Sequence, residues 1–367
     1  MHNTVDEKFQ VSPSFLFYLV HAGQVGVGIL GYQRYIIRGA GHDAWISTII
    51  SGISISILIW MCFHFLKREN TDVTHIHKMY FGKFLGSIFN LTLAVYFFIF
   101  ALTVYRNYIE VLQVWMFPQI STWFMSCLFL PLIYYILTGG FRIITGIAFF
   151  GLILPLPLIL SLIFPIQYGQ VENLLPILDH GARDLFESCK IVTFEYLGFE
   201  ALLVYYPFIK NGHSNQKWAH YGVMFSTFMY TIVAVISFMY FSQGQLSQSI
   251  WSTLTMAKII EIPFIQRFEY VVISLWLLVV LPVITINAWC TVRIIKNQFG
   301  GRPSIYVLLL IIGLFACSLA LDNRKVIDEW NNNMSKIGMY LIYFYIPLLF
   351  LFGLIRSKIK KARERHS

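Results

Sequence analysis

Residues Leu185–Ile209 read LFESCKIVTFEYLGFEALLVYYPFI. Glu187, Lys190, Glu195 and Glu200 interrupt an otherwise apolar run, so the segment is either a loop or a membrane span. As a loop it would leave its aliphatic and aromatic residues in water. The two ends of the chain would then also fall on opposite sides of a bilayer. As a span it is the sixth of ten. The other nine need less argument. Phe9–Gln33, Ala44–Leu66, Phe84–Tyr105, Val111–Phe141, Ile143–Val171, Trp218–Ala257, Tyr270–Val292, Pro303–Leu321 and Ile337–Ile355 contain no Asp, Glu, Lys or Arg. A bilayer-crossing helix needs about 20 mostly apolar residues. The ten expected spans are 12–36, 43–66, 80–115, 120–137, 141–164, 184–208, 215–241, 264–296, 303–321 and 337–357. The first reads as a retained span and not a cleavable signal, because it is long, carries His21 and Gln24, and no small-residue cleavage site follows.

Composition agrees with a polytopic all-α membrane protein. Of 367 residues, 57% are hydrophobic and 12% charged. A typical soluble domain is about 25% charged, which argues against a soluble fold. The apolar content excludes disorder. A net charge of +9 would point to nucleic acid in a soluble protein, but here it sorts by side. With the N-terminus inside, 17 of the 27 Lys and Arg fall in inside segments, which net +12 against −3 elsewhere. The positive-inside rule therefore puts both termini in the cytoplasm, with a basic tail at 358–367. Cys62, Cys127, Cys189, Cys290 and Cys317 show no paired spacing and read as small core residues.

Ten spans divide into two fives, about 12–180 and about 184–357, within one transmembrane domain covering 1–367. An odd number per half inverts the second half. Such inverted repeats put the binding site near the midplane, where discontinuous helices unwind. Gly23-Gln24-Val25-Gly26-Val27-Gly28 sets three glycines in six residues of the first span, with Gly31 following. Each costs a helix about 1 kcal/mol relative to Ala. Unwound backbone at bilayer depth must line a cavity or be buried in protein. Close helix packing through small residues is the other reading, and the pattern alone leaves both open.

In the sixth span, Tyr196-Leu197-Gly198-Phe199-Glu200 pairs a glycine with a carboxylate. A carboxylate there is costly and is a functional candidate by default. A structural hydrogen bond to an unwound helix is the alternative. Glu195 reads as closer to the outer interface. It lies roughly 140° from Glu200 around a helix, so the two are not a paired acid site. Tyr96 and Phe100 on the third span, and Thr285 and Trp289 on the eighth, share a face at i,i+4 spacing, which core packing also explains. Leu154-Pro155-Leu156-Pro157 and Tyr345-Ile346-Pro347 read as kinks.

Three stretches carry a family resemblance. They are Gln24-Val25-Gly26-Val27-Gly28-Ile29-Leu30, then Gly198-Phe199-Glu200-Ala201-Leu202-Leu203-Val204-Tyr205-Tyr206-Pro207-Phe208, and a third formed by Trp251-Ser252-Thr253-Leu254, Phe264-Ile265-Gln266-Arg267-Phe268-Glu269 and Trp276. With them the chain resembles, over essentially its full length, the B subunit of bacterial spore nutrient germinant receptors. This is the spore germination permease family of the amino acid–polyamine–organocation superfamily. The resemblance implies a spore inner-membrane subunit that binds a small nutrient such as an amino acid and triggers germination. A and lipoprotein C subunits would be its partners and the lipid bilayer its surroundings, with no nucleic acid, cofactor or metal. It also implies a ligand pocket between broken first and sixth spans, lined by the third and eighth. That carries over to Gly23, Gln24, Gly26 and Gly28, to Leu197, Gly198 and Glu200, to Tyr96 and Phe100, and to Thr285 and Trp289.

Two coupling devices of the wider superfamily are not recognisable. Ile143–Phe164 holds no lysine, and Ser274 and Thr285 are isolated hydroxyls. This favours sensing or passive conduction over concentrative transport. An amino acid or polyamine transporter of the same fold is the alternative function, and a purely structural subunit a further rival. No nucleophile–base pair, phosphate loop or metal spacing is present, His75 and His77 falling in a loop, so an enzyme is not expected.

Overall fold

The apolar runs form helices, and the glycine- and proline-bearing stretches interrupt them. The structure is a computed structural model describing residues 5–212, 215–261, 263 and 265–366, with side chains to residue 359. Phe264 of the third stretch, and the side chains of the tail from 360 onward, lie outside the described residues. The α-helices are α1 (Phe15–Gln24), α2 (Gln33–Ala40), α3 (Ala44–Glu69), α4 (Val73–Trp115), α5 (Thr122–Thr138), α6 (Phe141–Ile153), α7 (Ile163–Gln167) and α8 (Ala182–Val192). They continue as α9 (Leu202–Tyr205), α10 (Lys217–Tyr240), α11 (Gln243–Gln248), α12 (Ser252–Ala257), α13 (Phe268–Phe299), α14 (Pro303–Ala320), α15 (Arg324–Tyr340) and α16 (Ile346–His366). An isolated β-bridge joins Val11 and Ile209.

Seven helical stretches among the described residues are long and apolar enough to cross a membrane: Gln33–Glu69, Val73–Trp115, Phe141–Gln167, Lys217–Tyr240, Phe268–Phe299, Pro303–Ala320 and Arg324–Ile359. Ten were expected, and the difference has a physical origin. Thr122–Thr138 is apolar but 17 residues long. The expected first span is split at residues 25–32, and the sixth is split at 193–201. Exposed apolar side chains cover the outside, with Phe84 at 78% and Leu160 at 75% exposure. A water-soluble monomer rarely leaves such a surface uncovered, whereas lipid tails solvate it. The chain is a multi-pass membrane protein.

Two further expectations change in detail. The third span begins before residue 80. Gly82, at φ 79°, separates the stretch 73–81 from the rest of α4, and 73–81 folds back so that Gly86 lies against the backbone of His77 and Lys78. His75 and His77 are thus helical, not in a loop. Their ring nitrogens are used internally: His75 Nδ1 lies 2.8 Å from Asp72, and His77 Nδ1 lies 2.6 Å from Asn90. Asp72 caps α4 by accepting from the His75 N–H at 3.2 Å. Burial pushes the Asp72 carboxyl up, but hydrogen bonds from His75 and Thr74 outweigh it and hold it below the usual range. Its stabilising contribution is therefore present at neutral pH and is lost only as pH falls through that lowered value. The cysteines also divide: Cys62 and Cys290 are buried, Cys189 and Cys317 are half-buried, and Cys127 is exposed on the apolar outer face.

The prolines act where they were expected to. α6 ends at Ile153, and Pro155 and Pro157 lead into a 3₁₀ stretch, Leu156–Leu162. Pro347 follows a π-helical turn, Leu341–Tyr345, which relieves the clash of its ring with the preceding turn.

At the centre, α4 and α13 pack along one another as the most extensive helix pair. α1 packs against α10, α6 and α13, so the split first span sits inside the bundle.

Candidate functional site

The two splits meet. α1 ends at Gln24, and the chain runs through Val25–Val27 into a 3₁₀ turn, Gly28–Leu30, before α2 begins. In the second split a 3₁₀ turn, Thr193–Tyr196, is followed by Leu197 in extended conformation and Gly198 at φ 110°. A second 3₁₀ turn, Phe199–Ala201, then leads into α9. The backbones of Gly23 and Gly198 touch: a Cβ on Gly23 would lie 2.9 Å from the Gly198 oxygen, and a Cβ on Gly198 would overlap the Gly23 carbonyl. Neither position has room for a side chain, which is the reason glycine is needed at both.

Polar side chains hold the junction together. Tyr230 Oη lies 3.0 Å from the Gln24 carbonyl and 3.1 Å from the Glu195 carbonyl. Gln24 Nε2 donates to the Tyr196 carbonyl at 3.3 Å. Glu200 is fully buried and its two oxygens are both used. Oε2 accepts from the Gly198 N–H at 2.8 Å, and Oε1 accepts from Tyr96 Oη at 2.5 Å. It thus secures the break to α4. Trp276 Nε1 donates to the Gly26 carbonyl at 3.0 Å. The third resemblance stretch serves the other side of the first break. Thr253 Oγ1 donates to the Ile29 carbonyl at 2.8 Å and accepts from Gln33 at 2.7 Å, and Ser252 donates to Gln33 Oε1 at 2.8 Å. Carbonyls freed by unwinding must be re-satisfied at bilayer depth, and these side chains do so for those of Gly26, Ile29 and Tyr196.

A cavity of about 460 Å³ lies beside the junction, within the roughly 300–1,000 Å³ of small-molecule sites. Gly23, Gln24, Gly26, Gly28, Phe100 and Leu197 line it. The N–H groups of Gly26, Val27 and Gly28 have no backbone acceptor among the described residues. Tyr96 lies one turn from Phe100, and their rings stack at 6.3 Å, but Tyr96 faces Glu200 and not the cavity. Gly198 and Glu200 form the layer behind the wall. Thr285 is buried and bonds to the carbonyls of Leu281 and Pro282 within its own helix. Trp289 lies farther along α13, packed on Phe141 and Phe208 at 4.8 and 5.0 Å. Neither Thr285 nor Trp289 lines the cavity.

Other lining residues were not anticipated. Arg34 and Arg38 on α2 face Tyr35 at 5.1 and 5.7 Å, and Arg324 of α15 is held by Glu110 and Asp328 at 2.8 and 2.7 Å. Asn107 and Asn331 exchange hydrogen bonds at 2.8 and 2.9 Å, joining α4 to α15. Glu195 also lines the cavity, its carboxylate lying against Gly28. Its sequence signal was the same as that of Glu200, a carboxylate within an apolar span.

Comparison with known proteins places these features in a family. A family model described as "Spore germination protein" matches residues 10–327. Spore germination protein GerQB of Bacillus cereus is 39% identical over 354 residues, covering 96% of this chain and 98% of that protein. Spore germination protein A2 of Bacillus subtilis is 22% identical over 338 residues, 90% of this chain and 92% of that one. Spore germination protein B2 of the same organism is 22% identical over 264 residues, 70% of this chain and 71% of its own length. A multi-pass chain with two broken helices around a cavity, matched along most of its length, belongs to the spore germination protein family.

Proposed function

We propose that this chain is the nutrient-binding membrane subunit of a spore germinant receptor, with its ligand held in the cavity between the two helix breaks. The observation that carries the reading is the meeting of the Gly23 and Gly198 backbones beside that 460 Å³ space. The free N–H groups of Gly26, Val27 and Gly28 suit a ligand carboxylate, as helix N-termini do, which favours an amino acid. Phe100 and Leu197 would select its side chain. Gly23, Gln24, Gly26 and Gly28 form the first-break wall. Gly198, Glu200 and Tyr96 would keep the breaks in register. Thr285 and Trp289 would feel closure farther along α13.

The same reading includes a ten-span, 5+5 arrangement. The breaks fall in the spans that would open each half, and the two longest helices, α4 and α13, would be the third span of each. The charge pattern supports cytoplasmic termini, and the relatives' names support a role in spore germination; we place the chain in the spore inner membrane with A and C subunits as partners as part of this proposal. Ligand binding would shift the population between two packings of the bundle and pass that change to the partners.

The test is complementation of a spore strain lacking its own copy, with nutrients screened one at a time. Gly26→Val should abolish the response while the protein still accumulates in the membrane; an intact response overturns this pocket. Labelled amino acid with the purified chain in liposomes separates the rival: binding without accumulation supports the receptor, and accumulation supports a transporter.

A further inference from the structure

We propose that a second cavity, walled in part by the first break and open to the lipid face, binds small alcohols that partition into the bilayer, and that an alcohol seated there braces the break. The site is separate from the cavity assigned to the nutrient and does not depend on that assignment.

The prolines after α6 create the space. α6 touches α13 at Gly151, where a Cβ would lie 2.4 Å from the Leu278 carbonyl. Farther along the chain, the Gln170 N–H donates to the Met239 carbonyl of α10 at 2.9 Å. Between these two contacts, Pro155 and Pro157 turn the chain into the 3₁₀ stretch Leu156–Leu162. A cavity of about 90 Å³ lies behind that stretch, bounded by Met229 of α10, Val279 of α13, and Val25 and Ile29 of the first break. Leu156 lines it and is 39% exposed on the apolar outer surface, so the cavity reaches lipid.

One polar atom in this wall is open. His21 lines the cavity and is 5% exposed. Ser226 donates its single proton to the Gly222 carbonyl at 3.0 Å, so its oxygen accepts from His21 Nδ1, also at 3.0 Å. The ring proton therefore sits on Nδ1. Nε2 carries a lone pair and has no hydrogen-bond partner among the described residues. The hydroxyls of the wall are engaged: Thr253 Oγ1 donates to the Ile29 carbonyl and accepts from Gln33, and Ser161 donates to the Leu158 carbonyl. The indole N–H of Trp276 goes to the Gly26 carbonyl. The side chains of the wall thus leave one acceptor to fill and no donor to fill it.

These features select the ligand. A water needs about two to four polar partners to be held, and one nitrogen on an apolar wall is too few. An aliphatic alcohol brings one donor on an apolar chain. At about 30 Å³ for each water-sized group, about 90 Å³ holds roughly three heavy atoms, and a longer chain leaves past Leu156 into the bilayer.

The consequence follows from a shared wall. Val25 and Ile29 line this cavity, while Gly26, Val27 and Gly28 line the larger one. Trp276, which holds the Gly26 carbonyl, lines the smaller cavity as well. An occupant packed on these residues restricts movement of the break.

The experiment irradiates the full chain in lipid nanodiscs with an octanol carrying a diazirine, and reads the labelled residues by mass spectrometry. Label should concentrate on 151–165 and around Met229 and Val279. Excess hexanol should remove it. Hexane at equal membrane concentration should compete roughly 2- to 10-fold less well, as expected for one neutral hydrogen bond. His21→Phe should abolish that difference. Hydrogen exchange at 25–31 should slow several-fold on adding hexanol. Label as strong on the lipid-facing Leu308 and Ile312 of α14, or equal competition by hexane and hexanol in the wild type, overturns the site. Both readouts stand even if His21→Phe fails to fold. Exchange at 25–31 unchanged by hexanol overturns the bracing. Each outcome is read without regard to whether an amino acid occupies the larger cavity.

Discussion

Glycines in this chain are needed for different reasons, and substitution separates them. Gly198 combines a φ of 110° with the Gly23 carbonyl where its Cβ would go, so Gly198→Ala is both strained and blocked. We expect it to cost more than about 2 kcal/mol and to lower the melting temperature in detergent sharply. Gly26→Ala meets only methyls of Val283 and Val104, at 3.6 and 3.8 Å, an ordinary contact. It should fold like the wild type and show altered nutrient response, so the two variants distinguish architecture from recognition. Tyr96→Phe removes the one hydroxyl that fills Glu200 Oε1. The buried oxygen left behind should cost about 1–3 kcal/mol, read as a lower melting temperature, with Phe100 and the cavity wall in place. At this scale the sequence was half-legible. It marked both Glu195 and Glu200 as costly, reading Glu200 as the stronger candidate and Glu195 as closer to the outer interface. A helical ruler of 100° per residue fails between them, because 3₁₀ turns and the left-handed Gly198 intervene. Glu200 turns inward to Gly198 and Tyr96, and Glu195 turns to the cavity.

Among elements, hydropathy located the apolar spans well and their polar extensions poorly. α15 begins at Arg324, thirteen residues before the expected start, because the stretch from 324 to 336 carries charges and amides that a hydropathy reading ends on. Those groups, Arg324 and Asn331 among them, face the cavity and α4 and not lipid. The third resemblance stretch was legible as a pattern but not as a purpose. Its Ser252 and Thr253 close hydrogen bonds with Ile29 and Gln33 of the distant first span, a pairing that no local spacing encodes. The start of α4 gives a test of backbone conformation free of crowding. A Cβ on Gly82 would meet nothing within 4 Å, yet φ 79° with ψ 175° belongs to a region occupied almost solely by glycine. Gly82→Ala should therefore destabilise the fold-back of 73–81 by about 1–3 kcal/mol despite the open space. Hydrogen exchange should report it as faster exchange confined to 73–81, and unchanged exchange there would show that the segment does not depend on the glycine conformation.

For the molecule as a whole, α13 links the cavity to an aromatic cluster farther along the helix. Trp276 binds the Gly26 carbonyl, Val283 lines the cavity, and Trp289 lies about 9 Å farther on at helical rise. There the indole packs on Phe141 and Phe208, and Arg293 sits 5.0 Å over the Phe208 ring. Phe141 opens α6 and Phe208 follows α9, so with α13 three segments of chain converge on one aromatic cluster beyond the cavity. Nothing in composition marks this cluster, since aromatics make up 17% of the chain, and only the fold brings these three rings together. If ligand binding transmits through the bundle, we expect this cluster to bar any path across the membrane. Trp289→Ala deletes the central ring while leaving the cavity wall, the Gly23–Gly198 contact and the Tyr96–Glu200 bond untouched. We expect the variant to lose about 3–5 kcal/mol of packing at most, because Trp289 is only half-buried. Reconstituted in liposomes, it should leak small monovalent ions faster than the wild type without added nutrient. Gly26→Ala, which alters the cavity and spares the cluster, should not. An unchanged ion leak in Trp289→Ala, with the protein folded and correctly inserted, would place the barrier elsewhere, most directly at the junction of the two helix breaks.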